Sequence, residues 1–327
     1  MVNILVTGGA GYIGSHTALA LKNCGYNPIV LDNLTRGHRQ ATESIDVELI
    51  VGDIGDTGLL HDIFSTRRIG AVMHFAALAY VGESVAEPAF YYQNNVGRTI
   101  DLLTAMTSAG VDQFIFSSSC ATYGIPDSFP IKEATAQLPI SPYGHSKLMV
   151  ERILRDFESA YGLRSIVYRY FNAAGAEPSA VIGERHVPET HLVPLLLQAC
   201  KAFDKPFRIF GTDYPTLDGS CVRDFVHVSD IAQAHVLGLE YLIAGNSSDV
   251  FNLGTGVGQS VFQMIDVASS VTGLAVPVEI GPRREGDPPQ LYAAAEKALN
   301  VLSWHPRRSS PDLIVADAWN YIRKHVS

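Results

Sequence analysis

An apolar run, Asn3–Thr7, leads without a break into Thr7-Gly-Gly-Ala-Gly-Tyr-Ile-Gly14, and a helical pattern starts at once behind it. Few features restrict a fold as much as a glycine loop held between a strand and a helix. Gly9, Gly11 and Gly14 satisfy GxGxxG, while Gly8, Gly11 and Gly14 satisfy GxxGxxG. Glycines at these spacings permit a tight turn, close approach of backbone to a pyrophosphate, and close helix–strand packing. The helix behind them offers unsatisfied N–H groups and the positive end of its dipole. A second apolar run ends at Asp32, about 20 residues past the loop, where a carboxylate grips adenosine ribose hydroxyls and repels a 2′-phosphate. The chain is therefore expected to bind NAD rather than NADP, although Arg36 and Arg39 lie close by.

Short apolar runs continue to alternate with helical patterns. Strands are expected at Asn3–Thr7, Pro28–Leu31, Val47–Val51, Ala71–Phe75, Phe114–Ser117 and Ser165–Tyr170, and helices at Gly14–Cys24, Phe90–Ala109 and Tyr143–Tyr161. Near-continuous apolar strands between helices predict an α/β fold, a doubly wound parallel sheet covered on both faces. After residue 174 the texture changes: Pro, Gly and Asp cluster at Ala176–Pro188, Gly211–Gly219 and Gly281–Pro289. Residues 1–174 are read as a Rossmann domain to which later segments return, and 175–327 as mainly a smaller α/β substrate domain.

A net charge of −9 offers no basic surface to nucleic acid or anionic lipid. No apolar stretch reaches membrane-spanning length. Cys24, Cys120, Cys200 and Cys221 form no CxxC pair and read as reduced thiols of a cytoplasmic protein.

Within Pro142-Tyr-Gly-His-Ser-Lys147 a phenol and an ammonium stand four residues apart. On a helix both reach the same small volume, and a cation there favours phenolate, which would make Tyr143 a general base. Asp53, in Gly52-Asp53-Ile54, is placed to accept from an adenine edge, and Phe75-Ala76-Ala77 leaves room beneath a cofactor. Both segments follow strands, at the end of the sheet where ligands bind.

Taken together, TGGAGYIGSH, LDNL, GDI, HFAALAYVGES, FIFSSSCATYG, SPYGHSK and RYFNAAGA resemble the extended short-chain dehydrogenases/reductases. FGTDYPTLDGSCVRDFVHVSDIA, FNLGTG and RREGD narrow the resemblance to nucleoside-diphosphate-sugar 4-epimerases, over nearly the whole chain. The resemblance implies bound NAD, a UDP-sugar substrate, transient oxidation at the sugar's C4, and a homodimer paired through the helices Phe90–Ala109 and Tyr143–Tyr161. It implies that Tyr143 takes the 4-hydroxyl proton, Ser119 bridges that hydroxyl to Tyr143, and Lys147 holds the nicotinamide ribose and lowers the tyrosine's pKa. Tyr12, Ile13, Asn33, Ile54, Asn94, Ser117 and Tyr170 join the expected cofactor contacts. Asn172, Arg223 and Arg284 are expected at the sugar diphosphate, with His191 and Leu192 beside it, Asp287 at the uridine ribose, and Leu291 as a gate beside the sugar's C2.

Dehydratase and decarboxylase relatives carry acids where this chain has Ser119-Cys120-Ala121, so the chemistry is expected to stop at a 4-keto sugar and reverse. UDP-glucose/UDP-galactose is the expected pair. A UDP-pentose or a UDP-N-acetylhexosamine is the alternative, and a non-enzymatic NAD sensor on the same fold a more distant one. Ala79 and His191 depart from the family pattern, which has lysine and asparagine at these places. Glu184, His186, Glu189 and His191 carry metal-ligand chemistry, but a histidine spacing of five does not suit one helical face, and the reaction needs no Lewis acid. No metal is expected.

Overall fold

The computed structural model describes residues 2–202, 205–284 and 286–325. Six strands appear in the expected places: β1 (Asn3–Thr7), β2 (Asn27–Asp32), β3 (Glu48–Val51), β4 (Ile69–His74), β5 (Gln113–Ser119) and β6 (Arg164–Tyr170). They form one parallel sheet with a seventh strand, Asp249–Leu253, in the order Asp249–Leu253, β6, β5, β4, β1, β2, β3. The seventh strand was not foreseen. It comes from the second half of the chain and pairs Leu253 with Tyr170 at the sheet edge. Strand order reverses between β1 and β4, so the loops leaving these two strands diverge and open a crevice.

Each sheet face is buried. Along β1, Ile4 and Val6 enter one core with Leu21, Ile115 and Ile231, whereas Leu5 enters the other with Leu31, Phe114 and Leu102. A strand covered on both sides has no polar alternation to show, which is why these runs read as continuously apolar. A third core, with Leu196, Leu197, Ile209, Met264 and Ile314, belongs to the second half of the chain.

The expected helix Phe90–Ala109 is interrupted. It runs as Pro88–Tyr92, a π turn at Gln93–Gly97, and Arg98–Ser108. The wider turn accommodates buried Asn95, whose amide clasps the Leu78 backbone, accepting from its N–H at 2.8 Å and donating to its carbonyl at 2.9 Å. The helix Pro142–Tyr161 is continuous, with Pro142 in its first turn and the Ser141 hydroxyl accepting from Gly144 N–H.

Candidate active site

The glycine loop lies in the crevice between β1 and β4. Gly8 has φ +71°, and a Cβ there would fall 2.5 Å from the Ala76 nitrogen; one on Gly14 would fall 2.4 Å from the Gly8 carbonyl. The loop thus passes close beneath Phe75-Ala76 and tight against its own helix, Tyr12–Asn23. That helix has Gly11 as its N-cap, no side chain capping it, and no acid in its first turn. Its leading N–H groups and dipole face the crevice with no acid of its own first turn to compete, as a pyrophosphate requires. Buried Asp32 accepts from Ala10 N–H at 3.0 Å and Leu34 N–H at 2.8 Å. Burial raises its carboxyl pKa, and these two N–H groups partly offset that. Arg36 is drawn off to Glu83 at 2.6 Å, away from any role with a 2′-phosphate.

Asp53 is more engaged than expected for a free adenine acceptor. It takes hydrogen bonds from Asn33 Nδ2 and Gly55 N–H, both at 2.8 Å, and from Arg98. Asn94 accepts from the same guanidinium at 3.1 Å and donates to Asn95 at 3.0 Å. Gly8, Gly11, Tyr12, Ile13, Gly14, Ile54, Phe75, Ala76, Ala77, Ser117 and Tyr170 all line the same cleft.

Tyr143 and Lys147 stand one turn apart at the start of Pro142–Tyr161, facing Ser119 at the carboxyl end of β5. Lys147 Nζ donates to the Ser117 carbonyl at 2.7 Å and lies 5.8 Å from the centre of the Tyr143 ring. Burial lowers the Lys147 pKa to about 7, against the pull of Glu151. Burial also raises the Tyr143 pKa to about 12, opposed by the Ser119 hydroxyl. The expectation that Lys147 pulls Tyr143 down therefore needs correction for the cofactor-free chain. The ammonium is spent on Ser117 and is itself destabilised, so desolvation of the phenol wins.

Sequence reasoning did not find the support beneath this pair. Glu151, one turn beyond Lys147, makes a buried two-point pair with Arg169, at 2.7 Å and 3.1 Å, and accepts from Ser118 and Gln137. Arg169 also donates to Tyr123 Oη and the Glu133 carbonyl. Asn95 donates to the Ser146 hydroxyl at 3.2 Å, bracing the residue before Lys147. A carboxylate at position i+4 from the lysine was the available signal for Glu151; nothing marked Asn95.

On the opposite wall, Asn172, His191, Leu192, Arg223, Arg284, Asp287 and Leu291 line the same cleft, as does Ala79. Arg223 is ion-paired with Asp287, so these two expected ligand groups hold each other in place. The Arg284 guanidinium lies 3.9 Å above the Phe210 ring. Leu291 pairs with Arg223 in a short parallel bridge and packs on Tyr123, Ile131, Phe171 and Ala293. The cleft encloses about 1880 Å³, well beyond the roughly 300–1,000 Å³ of a site for one drug-sized ligand.

Glu184, His186, Glu189 and His191 converge, against the spacing argument. Residues 184–191 are not helical, so helical periodicity does not govern them, and their ligand-capable atoms all lie within 4.8 Å of one another. Burial lowers the imidazole pKa values, but the neighbouring carboxylates outweigh it, raising His186 to about 9 and His191 to about 10.

Residues 4–254 match the model of the NAD dependent epimerase/dehydratase family. The chain is 49% identical over 322 residues to the UDP-glucose 4-epimerase of Halalkalibacterium halodurans, covering 98% of this chain and 96% of that one. Its structure is similar to that of a Brucella ovis UDP-glucose 4-epimerase in complex with NAD, with a TM-score of 0.95, 46% identity and 98% of both chains covered. It is also similar to the Bifidobacterium longum UDP-glucose 4-epimerase in complex with NAD+ and UDP, with a TM-score of 0.94, 38% identity and 99% of both chains covered.

Proposed function

The chain belongs to the NAD-dependent epimerase/dehydratase family, and from that premise we propose that it inverts C4 of a UDP-sugar, UDP-glucose and UDP-galactose being its best substrates. One observation carries the reading: Ser119, Tyr143 and Lys147 share a single large cleft with the glycine loop and with Arg223 and Asp287. The residues around the loop fit NAD, since the space a Cβ would fill at Gly8 and Gly14 is closed and the helix carries no acid in its first turn. When bound there, NAD supplies a hydride acceptor that can return the hydride, together with a positively charged ring.

The chain's own groups do the rest. Tyr143 takes the proton of the 4-hydroxyl through Ser119 and gives it back after the sugar turns over. Lys147, fixed by the Ser117 carbonyl, orients the nicotinamide ribose. Burial raises the Tyr143 pKa to about 12 in the cofactor-free chain, and a positive charge entering the cleft would favour its basic form. Ser119-Cys120-Ala121 offers no carboxylate to eliminate water from the 4-keto sugar, which leaves reduction as its way out. Asn172 and Arg284 serve the diphosphate, and Asp287, held by Arg223, the uridine ribose. Residues 1–174 form most of the NAD half and 175–327 most of the UDP-sugar half.

Exposed Phe90, Ile100 and Met149 fit a homodimer paired through the helices flanking the π turn and Pro142–Tyr161. Four free cysteines suit the reducing cytoplasm. Among the described residues no helix is long and apolar enough to cross a membrane.

The test is conversion of UDP-galactose to UDP-glucose by purified protein without added reductant, alongside Tyr143→Phe. Loss of the proton acceptor should lower the rate by about 10²–10⁴-fold and leave UDP-sugar binding intact. Near-full activity in that variant would remove Tyr143 from the role.

A further inference from the structure

The Glu184, His186, Glu189 and His191 cluster has a geometry the epimerisation does not explain. His191 Nδ1 lies 2.8 Å from Glu184 Oε1 and 3.0 Å from Glu189 Oε1. His186 Nδ1 lies 3.2 Å from Glu184 Oε1 and 3.7 Å from Glu189 Oε2. Four donors bound to one small ion at about 2.0–2.1 Å in a tetrahedron stand roughly 3.3 Å apart. These histidine–carboxylate separations run from 2.8 to 3.7 Å, and one ligand atom from each residue fits within 4.8 Å, so the four would draw in to meet one ion. His186 Nδ1 is buried and makes no hydrogen bond of full geometry, with Glu184 Oε1 at 3.2 Å and Glu189 Oε2 at 3.7 Å as its nearest acceptors. An unprotonated nitrogen aimed at a shared centre satisfies this geometry.

Charge points the same way. The Glu184 and Glu189 side chains are only 6% and 9% exposed. Among the described residues neither is ion-paired with a lysine or arginine. Two buried carboxylates against two adjacent imidazole rings, centres 4.8 Å apart, are neutralised either by two imidazolium charges side by side or by one dication. The dication leaves both rings neutral and removes their mutual repulsion.

We propose that Glu184, His186, Glu189 and His191 bind one divalent transition-metal ion of zinc's class. Two imidazole nitrogens with two carboxylates suit zinc better than calcium or magnesium, which take oxygen ligands, or copper(I), which favours sulfur. The ion fastens a loop that joins the two walls of the cleft. On one side, the carbonyls of Arg185, Val187 and Pro188 are held by His38, Arg36 and Tyr80. On the other, His191 is the N-cap of the helix Leu192–Lys201. His191 then serves the ion, and its imidazole is not a substrate group. The role is structural and independent of the reaction assigned to the cleft.

The test is elemental analysis of untagged, dialysed protein, with chelation and reconstitution by zinc alone, and thermal unfolding of both forms. The wild type should hold about one zinc per chain and melt several degrees lower once stripped, by linkage of binding to folding. His186→Ala and Glu184→Gln should each lower the retained zinc at least about tenfold, in keeping with loss of a metal ligand. Cobalt in place of zinc should give the visible bands of a tetrahedral site. A wild type that neither holds nor takes up zinc, and whose melting zinc does not shift, overturns the proposal. So do variants that bind zinc as the wild type does. Should a variant fail to fold, the stripping and reconstitution of the wild type decide the matter by themselves.

Discussion

Glu151→Gln is the perturbation whose size the structure fixes best. The Glu151 and Arg169 side chains are 4% and 6% exposed and share two hydrogen bonds. Burial disfavours the guanidinium charge, and Glu151 more than compensates. Glutamine keeps the volume but offers one acceptor oxygen in place of two, and it leaves Arg169 as an uncompensated buried charge. Breaking such a pair from one side costs about 3–5 kcal/mol. At about 2 °C per kcal/mol for a chain of this size, melting should fall by roughly 6–10 °C. The assay is thermal and urea unfolding at one fixed, saturating NAD concentration, so that ligand linkage does not change between proteins. Replacing both partners, Glu151→Met with Arg169→Met, removes the stranded charge and should recover most of the loss. A single variant within about 1 kcal/mol of wild type, or a double variant no better than the single, would refute the reasoning.

Gly14→Ala would drive a methyl group to 2.4 Å from the Gly8 carbonyl, so NAD retention should fall by at least about tenfold, read as cofactor content after gel filtration. A second test uses the sign of the Lys147 shift. Its folded pKa, about 7, lies below the unfolded value of 10.5, so the unfolded state binds the extra proton between those two values. Cofactor-free wild type should therefore gain stability relative to Lys147→Met as pH rises from 7 towards 10, and parallel unfolding curves across that window would contradict the assignment. At the substrate end, Leu291→Tyr should lower, and Leu291→Ser raise, the ratio of kcat/KM for N-acetylated over plain UDP-hexoses. A pocket of this kind discriminates by about 1–3 kcal/mol, and an unchanged ratio in both variants would remove Leu291 as the gate.

What the sequence revealed follows from how local each signal is. The glycine loop, Asp32 and the Tyr143–Lys147 spacing are local patterns, and all fall in one cleft. The inner strands were legible because burial on both faces makes them nearly continuously apolar, and the partly exposed edge strand Glu48–Val51 by its short apolar run alone. Asp249–Leu253 was not, since Asn252 breaks its apolar run, and the Tyr123 hydroxyl and Ile131 carbonyl that satisfy that amide are distant in sequence. The π turn escaped because Asn95 reads as one more polar helix residue until Leu78 is seen to need it. Local spacing also misled. It credited Lys147 with lowering the Tyr143 pKa, whereas the outcome depends on burial and on a carbonyl thirty residues away. It kept the four residues between Glu184 and His191 apart by a helical rule that a loop does not obey. Arg223 and Asp287 were assigned separately to the ligand, and their mutual pairing crosses sixty-four residues of sequence.

The fate of the hydrogen on C4 bears most directly on the account. UDP-galactose carrying deuterium at C4 is given to the NAD-loaded protein in ordinary water, and the UDP-glucose formed is analysed by mass and NMR. Oxidation and reduction at one carbon by one retained cofactor predict product with deuterium still at C4, no solvent hydrogen there, and no steady accumulation of NADH. Exchange of the label with water, or NADH accumulating with a keto-sugar product, would contradict it.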